Sequence, residues 1–425
     1  MTDWLDPVYD SEGMAAADRF AIRERGIASL ELMEAAGRGL AEAAGALATT
    51  GGSQVIQVVC GKGNNAGDGL VAARHLAEAG YETEVLLLWP ADELSPDSAA
   101  NYERLPALNI VEGAAAISRV GDGALIIDAM LGTGFEGEAR SPVSNAIVRI
   151  KDSLCPVVCC DVPSGVNASS GEAGLAVSGD LTVTFHGLKT GHLLNPGKGL
   201  CGRVEVIDIG IPKDAPPGDA AGRINSAILD LPPRRGAASN KFTSGRVTVV
   251  GGSKGMTGAV SLAASAAVRS GAGYASVAVP ADLEAIFEIK LTEVMSAGFG
   301  ETPGRLESDA TQGIREHCEK AAAVVLGSGI GRGAGVDQLV VDLASSIEAP
   351  MVIDADGLGA LAGKVEALAS RQAATVLTPH VGEMSRLIGR TSAEVGETRL
   401  ASALELARRS GSLVVLKGDD TIITD

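Results

Sequence analysis

The hydrophobic pattern changes its period within residues 55–80, where a buried strand is predicted to lead through a polar loop into a helix. Val55, Ile56, Val58 and Val59 form an apolar run typical of a strand buried on both faces. From Leu70 onward, apolar side chains return at helical spacing. The intervening segment GKGNNAGDG combines four glycines with two Asn and one Asp. Because ligands of open α/β sheets bind where strands end, we predict a ligand loop here, with an ordinary strand-to-helix turn as the alternative.

The same alternation of strand and helix patterns continues through both halves of the chain. Residues 11–47 carry apolar side chains at helical spacing, which predicts one or two helices before the first strand. A glycine-rich turn and an Ala-rich helix over Ala259–Gly271 follow the first strand of the second half. The pattern predicts two doubly wound α/β domains. The further strands are predicted at Glu84–Leu88, Ala124–Asp128, Pro156–Asp161, Leu181–Phe185 and Arg203–Ile207, and then at Arg246–Val250, Tyr274–Val279, Ala322–Leu326, Met351–Asp354, Ala374–Leu377 and Leu413–Leu416.

A stretch rich in Pro, Gly and charge separates the two halves. It covers residues 211–241, and its composition is typical of an interdomain connection. A chain of 425 residues is also longer than a usual single domain. We therefore predict two domains, residues 1–218 and 219–425.

Composition limits the classes of partner. The formal net charge of −18 argues against a nucleic-acid partner. The six cysteines contain no CxxC pair and the five histidines no metal-ligand spacing, so neither disulfides nor zinc are expected. The acidic N-terminus is unlike a signal peptide, and no apolar run is long enough for a membrane span. We expect a cytoplasmic homo-oligomer that acts on a small molecule, with no nucleic-acid or membrane partner.

Polar residues end three more predicted strands in the first half. Because the carboxyl ends of parallel strands share one edge, Asn65, Asp128, Asp161 and Ser164 could converge there. Their oxygen atoms suit a hard cation such as K⁺, Na⁺ or Mg²⁺ better than zinc. The alternative is that the two Asp residues only cap the following turns.

In the second half, two polar segments follow predicted strands. Lys417, with the backbone N–H groups of the residues after it, could hold a nucleotide phosphate, although a solvated turn is the alternative. His380 stands beside Glu383 and Arg386, which suggests a site, whereas the alternative is a hydrogen-bonded core histidine.

Taken together, these motifs resemble the bifunctional NAD(P)H-hydrate repair enzymes, in which an epimerase domain is fused to a nucleotide-dependent dehydratase domain. The resemblance rests in the first half on GKGNNAGDG, DAMLGTGFEGE and DVPSGVN. In the second half it rests on GRVTVVGGSKGMTGA, LGSGIGRG, IDADGL, TPHVGEMSRL and LKGDDT. It implies a Rossmann-like epimerase domain followed by an incomplete ribokinase-like domain.

The resemblance also implies site residues, and among them Asp161 is our candidate catalytic residue. A potassium ion is implied at Asn65, Asp128 and Ser164. An adenine nucleotide, ADP or ATP, with or without Mg²⁺, is implied at Lys417, Gly418, Asp419, Asp420 and Thr421. Contacts to hydrated NADH or NADPH are implied at Asn64, Asn65, Ala66, Gly67, Asp68, Gly132, Thr133, Gly134, Phe135, Glu136, Gly137, Glu138 and Asp161, and in the second half at Ala259, Gly329, Gly331, His380, Glu383 and Arg386.

The sequence departs from the family pattern in three places. Ala66 replaces a usual Gly, which a negative φ would allow, and residues 240–242 read Asn-Lys-Phe instead of His-Lys-Gly. The third departure is that the sequence contains no GTGD-type segment after LKGDDT, which in the family supplies an Asp base and phosphate-binding N–H groups. We therefore expect a C-terminally truncated chain that epimerises the R and S hydrates but whose ADP-dependent dehydration of the S hydrate is impaired.

Two rival functions stay open at the level of the sequence. One is a ribokinase-type small-molecule kinase, and the other is a non-catalytic nucleotide-binding protein. A classical dehydrogenase is disfavoured, because the first loop follows a GxGNNxGDG and not a GxGxxG pattern.

Overall fold

The chain folds into two compact units. The structure is a computed structural model that describes residues 3–51, 55–216 and 221–425, with the side chains of residues 49–51 left out. The units are Met1–Leu231 and Pro232–Asp425. The boundary proposed from the sequence, between residues 218 and 219, lies a short distance before this boundary of the structural units. The chain from Ala221 to Leu231 stays with the first unit because residues 221–224 pair antiparallel with residues 5–8.

A seven-stranded parallel sheet forms the centre of the first unit. Its strand order is β4-β3-β2-β5-β6-β7-β9, and every neighbouring pair is parallel. A smaller sheet has the order β10-β1-β8. The strands are β1 Leu5–Tyr9, β2 Val55–Cys60, β3 Glu82–Leu87, β4 Asn109–Glu112, β5 Leu125–Ala129, β6 Val157–Cys160, β7 Leu181–Phe185, β8 Leu188–Lys189, β9 Arg203–Ile207 and β10 Ala221–Ile224. The helices are α1 Ser11–Arg23, α2 Ser29–Gly51, α3 Asn64–Glu78, α4 Pro96–Tyr102, α5 Gly113–Arg119, α6 Val143–Asp152 and α7 Gly197–Leu200.

Helices cover both faces of this sheet, as its apolar strands require. On one face, buried side chains of α2 and α3 pack against Ile56, Val58 and Cys60 of β2. On the other face, α5 and α6 pack against Val59 and Ile126. Because both faces are covered, the strands read as continuous apolar runs and not as alternating patterns.

The second unit is built around an eight-stranded sheet of order β13-β12-β11-β14-β15-β16-β17-β18. All neighbouring pairs are parallel except the last, in which β18 runs antiparallel to β17. The strands are β11 Arg246–Val250, β12 Tyr274–Pro280, β13 Met295–Phe299, β14 Ala323–Leu326, β15 Met351–Ile353, β16 Thr375–Leu377, β17 Leu413–Leu416 and β18 Ile422–Thr424. The helices are α8 Thr257–Arg269, α9 Glu284–Lys290, α10 Thr311–Cys318, α11 Ala334–Ser346, α12 Asp356–Ala360, α13 Val381–Ile388, α14 Ser392–Glu397 and α15 Arg399–Ser410.

The two doubly wound α/β domains expected from the sequence are confirmed. Every predicted strand is present, with ends that differ by at most a few residues. The pattern missed the sheet-edge strands β4 and β13, because their side chains are largely half-buried or exposed and do not form apolar runs. It also missed β1, β8, β10 and β18, which are short or polar. In the described part of the chain, no helix combines the length and apolar character needed to cross a bilayer.

The turn after β2 depends on a close backbone approach at Gly61. A Cβ added to Gly61 would lie 2.1 Å from the carbonyl oxygen of Met130, in the segment that follows β5. A Cβ added to Gly63, two residues later, would meet nothing within 4 Å, and Gly63 has an ordinary φ of −86°. Only the first of these two glycines is therefore required by packing.

We predict that Gly61→Ala destabilises the first unit by about 1–3 kcal/mol, because the backbone of Met130 must move to accept the methyl group. Gly174→Ala, at an exposed loop position where an added Cβ also meets nothing within 4 Å, is the matched control and should change the free energy of unfolding by less than about 0.5 kcal/mol. Urea unfolding followed by tryptophan fluorescence reports this unit alone, since both tryptophans, Trp4 and Trp89, belong to it. Equal stability of the two variants would contradict the prediction.

Candidate functional site

A crevice opens in the first unit where the order of its strands reverses. The chain leaves β2 and β5, which are neighbours in the sheet, towards helices on opposite faces. Such switch points are where open α/β sheets bind ligands. A cavity of about 800 Å³ lies here. It brings together the predicted residues Asn64, Asn65, Asp68, Gly132, Thr133, Gly134, Phe135, Glu136 and Asp161.

Four of the predicted contact residues do not line this cavity. Ala66 and Gly67 are buried in α3, and a Cβ on Gly67 would lie 2.4 Å from the sulfur of Met33. Gly137 and Glu138 follow the cavity-lining segment that ends at Glu136. Ala66 lies in the first turn of α3, outside the residues with positive φ, so the usual Gly is not needed at this position.

The cavity meets the N-terminus of helix α3. Gly63 caps the helix without a side-chain hydrogen bond, and the N–H groups of Asn64 and Asn65 make no hydrogen bond with a described residue, whereas that of Ala66 donates to the carbonyl of Gly63 at 3.0 Å. Asn64 starts the helix, and its Oδ1 accepts a hydrogen bond of 2.8 Å from Ser95. Free N–H groups and the helix dipole together favour an anionic group at this end of the cavity.

Asp161 is held by a buried lysine at the wall of the cavity. Lys189 is 1% exposed, and its Nζ lies 2.7 Å from Asp161 Oδ1. The same ammonium donates to Thr184 Oγ1 at 2.8 Å and to the carbonyl of Phe185 at 2.9 Å, so its three N–H groups are all used. Burial acts to raise the pKa of Asp161, but the Lys189 charge and hydrogen bond outweigh it and the pKa is lowered. Asp161 is therefore an ionised carboxylate at neutral pH.

His192 fixes the backbone around this ion pair. Its Nδ1 accepts the N–H of Lys189 at 3.0 Å, so the ring proton is on Nε2, which donates to the carbonyl of Asp161 at 2.8 Å. Asp161 has a φ of +66°, a conformation that costs a non-glycine residue about 1–2 kcal/mol. Burial, and then the positive charge of Lys189, lowers the pKa of His192 to about 4, so the ring is neutral.

The three residues predicted to hold a cation are connected by hydrogen bonds through Leu131, and Asn65 among them also lines the cavity. Asp128 is fully buried and accepts hydrogen bonds from Ser164, at 2.6 Å from the hydroxyl and 2.8 Å from the N–H. Asn65 donates to the carbonyl of Leu131 at 3.0 Å, and the N–H of Leu131 donates to Ser164 Oγ at 2.9 Å. Burial raises the pKa of Asp128 to about 6, although the bonds from Ser164 act against this.

Sequence reasoning missed four residues of this site: Asp18, Thr184, Lys189 and His192. Asp18 lies on α1 and lines the cavity. Lys189 and His192 follow the predicted strand Leu181–Phe185, whose end is one of the three polar strand ends of the first half, but no local signal distinguished them from the other polar residues there. Only the folded chain brings them to Asp161.

The second unit has a corresponding switch point between β11 and β14. Ser253, after β11, donates to the carbonyl of Gly329, after β14, at 2.9 Å. A Cβ on Gly329 would lie 2.7 Å from the carbonyl oxygen of Met256 and 3.4 Å from Cβ of Ala259. A Cβ on Gly331 would lie 3.5 Å from Ser253 Oγ. The predicted residues Ala259, Gly329 and Gly331 therefore all adjoin the loop after β11.

His380, Glu383 and Lys417 form a second polar cluster in this unit. His380 caps α13, because its Nδ1 accepts the N–H of Gly382 at 2.9 Å while Glu383 Oε2 accepts the His380 N–H at 2.9 Å. Lys417 Nζ lies 2.9 Å from Asp354 Oδ1 and 3.9 Å from Glu383 Oε2. The side chain of His380 is 56% exposed, so the alternative of a core histidine is wrong. Burial acts to raise the pKa of Asp354, but hydrogen bonds from Lys417 and Thr378 outweigh it and the pKa is lowered.

The segment from Lys417 to Thr421 rests on a buried arginine that the sequence did not indicate. Arg399 Nη2 donates to the carbonyl of Asp420 at 2.8 Å and lies 3.3 Å from its carboxylate. A Cβ on Gly418 would lie 2.4 Å from the same nitrogen, so a larger residue would require the Arg399 guanidinium to move. Asp419 is exposed, and Thr421 donates to the carbonyl of Gly418 at 3.2 Å. Arg386 is exposed and makes no hydrogen bond or ion pair with a described residue.

Comparison with known proteins adds the identity of these two units. The family model described as YjeF-related protein N-terminus matches residues 29–191, and the model described as NAD(P)H-hydrate dehydratase matches residues 247–425. The bifunctional NAD(P)H-hydrate repair enzyme Nnr of Moorella thermoacetica is 38% identical, over 96% of this chain and 80% of the relative. The enzyme of the same name from Salinibacter ruber is 36% identical, over 98% and 81%.

The fold and the two sites define a two-domain α/β enzyme that acts on small molecules. The chain belongs to the bifunctional NAD(P)H-hydrate repair enzymes, with an epimerase domain followed by a dehydratase domain. Among solved structures, the ADP/ATP-dependent NAD(P)H-hydrate dehydratase of Bacillus subtilis, co-crystallised with ATP and Mg²⁺, is 28% identical with a TM-score of 0.37, over 45% of this chain and 64% of that one. A ribokinase-like superfamily protein of Enterococcus faecalis is 24% identical with a TM-score of 0.38, over 45% and 63%.

These comparisons do not support the expectation of a truncated chain with impaired dehydration. The dehydratase model matches the chain as far as residue 425, and the curated relatives align with it over about four-fifths of their own length. The lack of one motif in the sequence is therefore no evidence for lost dehydratase chemistry.

The neutral state of His192 predicts a specific acid sensitivity. Unfolded, His192 takes up a proton near pH 6.5, whereas folded it does so only near pH 4. Its contribution to the free energy of unfolding is thus complete above pH 6.5 and is lost as the pH falls towards 4. Between pH 7 and 5 this loss is about 2 kcal/mol.

His192→Gln should remove that part of the pH dependence. Urea unfolding at pH 7 and pH 5, followed by tryptophan fluorescence, gives the difference directly. We expect the variant to be less stable than the native chain at pH 7, but to lose about 2 kcal/mol less between the two pH values. If the free energy of unfolding of the native chain and of the variant depended on pH in the same way, His192 could not be neutral in the folded chain.

Proposed function

We propose that the first unit interconverts the R and S epimers of hydrated NADH or NADPH in the cavity beside Asp161, and that the second unit dehydrates the S hydrate with a nucleotide. The observation that carries the proposal is the ionised Asp161, which Lys189 holds at the wall of a cavity of about 800 Å³. A cavity of this size suits a nicotinamide nucleotide.

The chemistry of the substrate defines what the first site must do. Water that adds to the enamine double bond of the ring leaves its hydroxyl on the carbon next to the ring nitrogen. Departure of this hydroxyl as water gives a planar iminium ion, and return of water to the opposite face inverts the centre. The reaction needs one group that protonates the leaving oxygen and one that accepts a proton from the attacking water. Because Asp161 is ionised, we assign it the acceptor role.

The charges of the cavity also orient the cofactor. Its phosphates carry negative charge and are favoured at the N-terminus of α3, next to Lys62 at the rim. The nicotinamide ring is neutral after hydration and can approach the carboxyl groups of Asp161 and Asp68 without repulsion. We propose that the predicted residues from Asn64 to Asp68 and from Gly132 to Glu136 contact the cofactor between these two ends.

In the second unit, the proposed reaction converts a poor leaving group into a good one. The nucleotide phosphorylates the ring hydroxyl, and elimination of phosphate restores the double bond. We propose that residues 417–421 hold ADP or ATP with Mg²⁺, and that Ala259, Gly329, Gly331, His380, Glu383 and Arg386 contact the hydrated cofactor. The contact between Lys417 and Glu383 supports this arrangement, because the two substrates must meet for phosphoryl transfer.

We further propose a K⁺ ion at Asn65, Asp128 and Ser164, and the residues fit it. Asn65 Oδ1 accepts no hydrogen bond from a described residue, and a Cβ on Gly132 would lie 3.1 Å from this oxygen. Amide, carboxylate and hydroxyl oxygens form a donor set for a hard cation. When bound, the ion would compensate the buried charge of Asp128 and fix the loop geometry. A cytoplasmic location, a homo-oligomer and the absence of nucleic-acid and membrane partners remain predictions.

NMR of pure S and R hydrates mixed with the full chain tests the epimerase. The native chain should bring each epimer to the same mixture, and Asp161→Asn should slow this by about 10²-fold or more. Asp92→Asn, an exposed position outside the cavity, is the matched control and should epimerise normally. A native chain that leaves both epimers unchanged, or an active Asp161→Asn variant, would contradict the proposal.

Adding ADP or ATP with Mg²⁺ to the same samples tests the dehydratase. We expect NADH or NADPH, nucleotide product and free phosphate from the S hydrate, and Asp161→Asn should retain this activity because it changes only the first unit. A stable phosphorylated cofactor without elimination would favour the kinase alternative. Binding of the hydrate without turnover in either unit would favour the non-catalytic alternative.

Thermal unfolding in K⁺ tests the cation site. At ten times its Kd, a ligand that binds only the folded state contributes about 1.4 kcal/mol. Replacing choline by K⁺ at constant ionic strength should thus raise the Tm of the first unit by roughly 3–6 °C. Asn65→Ala should abolish the response, and Asn145→Ala, an exposed position on α6, should keep it. An equal response in both variants would place the ion elsewhere.

A further inference from the structure

The cavity of the first unit contains more carboxylates than its single buried cation can compensate. Asp18 comes from α1, Asp68 from α3 and Asp161 from the end of β6, and all three line the cavity together with Lys189. The three N–H groups of Lys189 are used by Asp161, Thr184 and the carbonyl of Phe185. Neither Asp18 nor Asp68 makes a hydrogen bond or ion pair with a described residue.

The other charged groups of the cavity do not change this balance. Asp97 and Glu136 add negative charge to the lining. Lys62 is the second lysine of the lining, but it is half exposed and its Nζ lies 3.0 Å from Glu93 outside the cavity. Ionising Asp68 would therefore add an unpaired charge beside Asp161 and Asp18.

The surroundings shift the pKa values of these carboxyl groups in opposite directions. Burial raises the pKa of Asp68 well above its usual range, and the charges of Asp161 and Asp18 raise it further, against the attraction of Lys189. Burial also raises the pKa of Asp18. The pKa of Asp161 is lowered, as described above. Acid–base catalysis needs one group that donates a proton and one that accepts it. Two carboxyl groups in one cavity can provide both when their surroundings shift their pKa values apart.

We infer that Asp68 is the proton donor of the epimerase, acting on the substrate across the cavity from the acceptor Asp161. The inference rests on the proposed epimerase function and adds the acid that this function requires. Asp18 does not need to touch the substrate; it is a positioning residue whose carboxyl group keeps the proton on Asp68.

The step balances without any further reactant. The Asp68 carboxyl gives its proton to the ring hydroxyl, the C–O bond breaks with its electron pair on the departing water, and the nitrogen lone pair forms the C=N bond. Water then attacks the opposite face, forms the new C–O bond and gives a proton to Asp161, while the C=N electrons return to nitrogen. A turnover in the reverse direction, or proton exchange with solvent, restores both carboxyl groups.

Asp68→Asn in the full chain tests the donor role. The amide keeps the size of the side chain but cannot donate the acidic proton, so we expect kcat for epimerisation to fall by about 10²-fold or more while KM changes by less than about threefold. Asp92→Asn is again the matched control. Urea unfolding followed by tryptophan fluorescence, which reports the first unit alone, measures whether the first unit of each variant is folded.

The Asp18→Asn variant tests whether Asp18 acts on the protonation of Asp68 or has only a structural role. Without the negative charge of Asp18, Asp68 loses its proton more easily. The fall of kcat on the alkaline side of its pH profile should therefore begin at a lower pH. A variant that loses activity equally at all pH values, with no shift of the limb, would contradict this role.

Carbon-13 NMR of aspartate carboxyl groups provides a measurement that needs no turnover. In the native chain, at least one carboxyl should remain protonated at pH 7, and its signal should be missing in Asp68→Asn. Epimerisation by Asp68→Asn within threefold of the native rate would overturn the donor role. A native chain that does not epimerise would instead refute the proposed function, and a spectrum with every aspartate ionised at pH 7 would refute the protonated Asp68 independently.

Discussion

The chemistry of the first unit depends on the buried ion pair between Lys189 and Asp161. Removing one partner of such a pair leaves an uncompensated buried charge, which typically costs about 3–5 kcal/mol. The pair also decides the charge state of its surroundings, because the ammonium uses its three N–H groups on Asp161, Thr184 and Phe185. The remaining carboxyl groups of the cavity must either bind protons or repel one another.

Both units carry polar clusters at the carboxyl ends of parallel strands, but the clusters differ in chemistry. The strand order reverses between β2 and β5 and between β11 and β14, whereas Lys417 and Asp354 follow β17 and β15 at the same edge of the second sheet. In the first unit the site contains carboxyl groups whose surroundings shift their pKa values in opposite directions. In the second, the ion pair of Lys417 and Asp354 is half exposed, so its charges remain hydrated and available to an ionic ligand. The first arrangement suits proton transfer, and the second suits the binding of phosphate and metal.

The sequence predicted the central strands and the strand-end clusters because both are local patterns. Asp128 and Ser164 were expected to meet, since parallel strands end at one edge, and they lie in direct hydrogen-bond contact. Lys189 could not be assigned in this way, because it lies on a two-residue strand and reaches Asp161 only through the fold. Edge strands were missed for a related reason: their half-exposed side chains lack the apolar run that marks a buried strand.

Asp18 shows why the motif loop alone does not define this site. The family model begins at residue 29, so α1 lies outside the matched region, yet Asp18 lines the same cavity as Asp68 and Asp161. Coulomb interactions between buried charges extend over several ångströms and are weakly screened. An acidic side chain from an element outside the motif can therefore set the protonation of a residue within it. Relatives that share the loop but differ at the position of Asp18 need not have the same pH dependence.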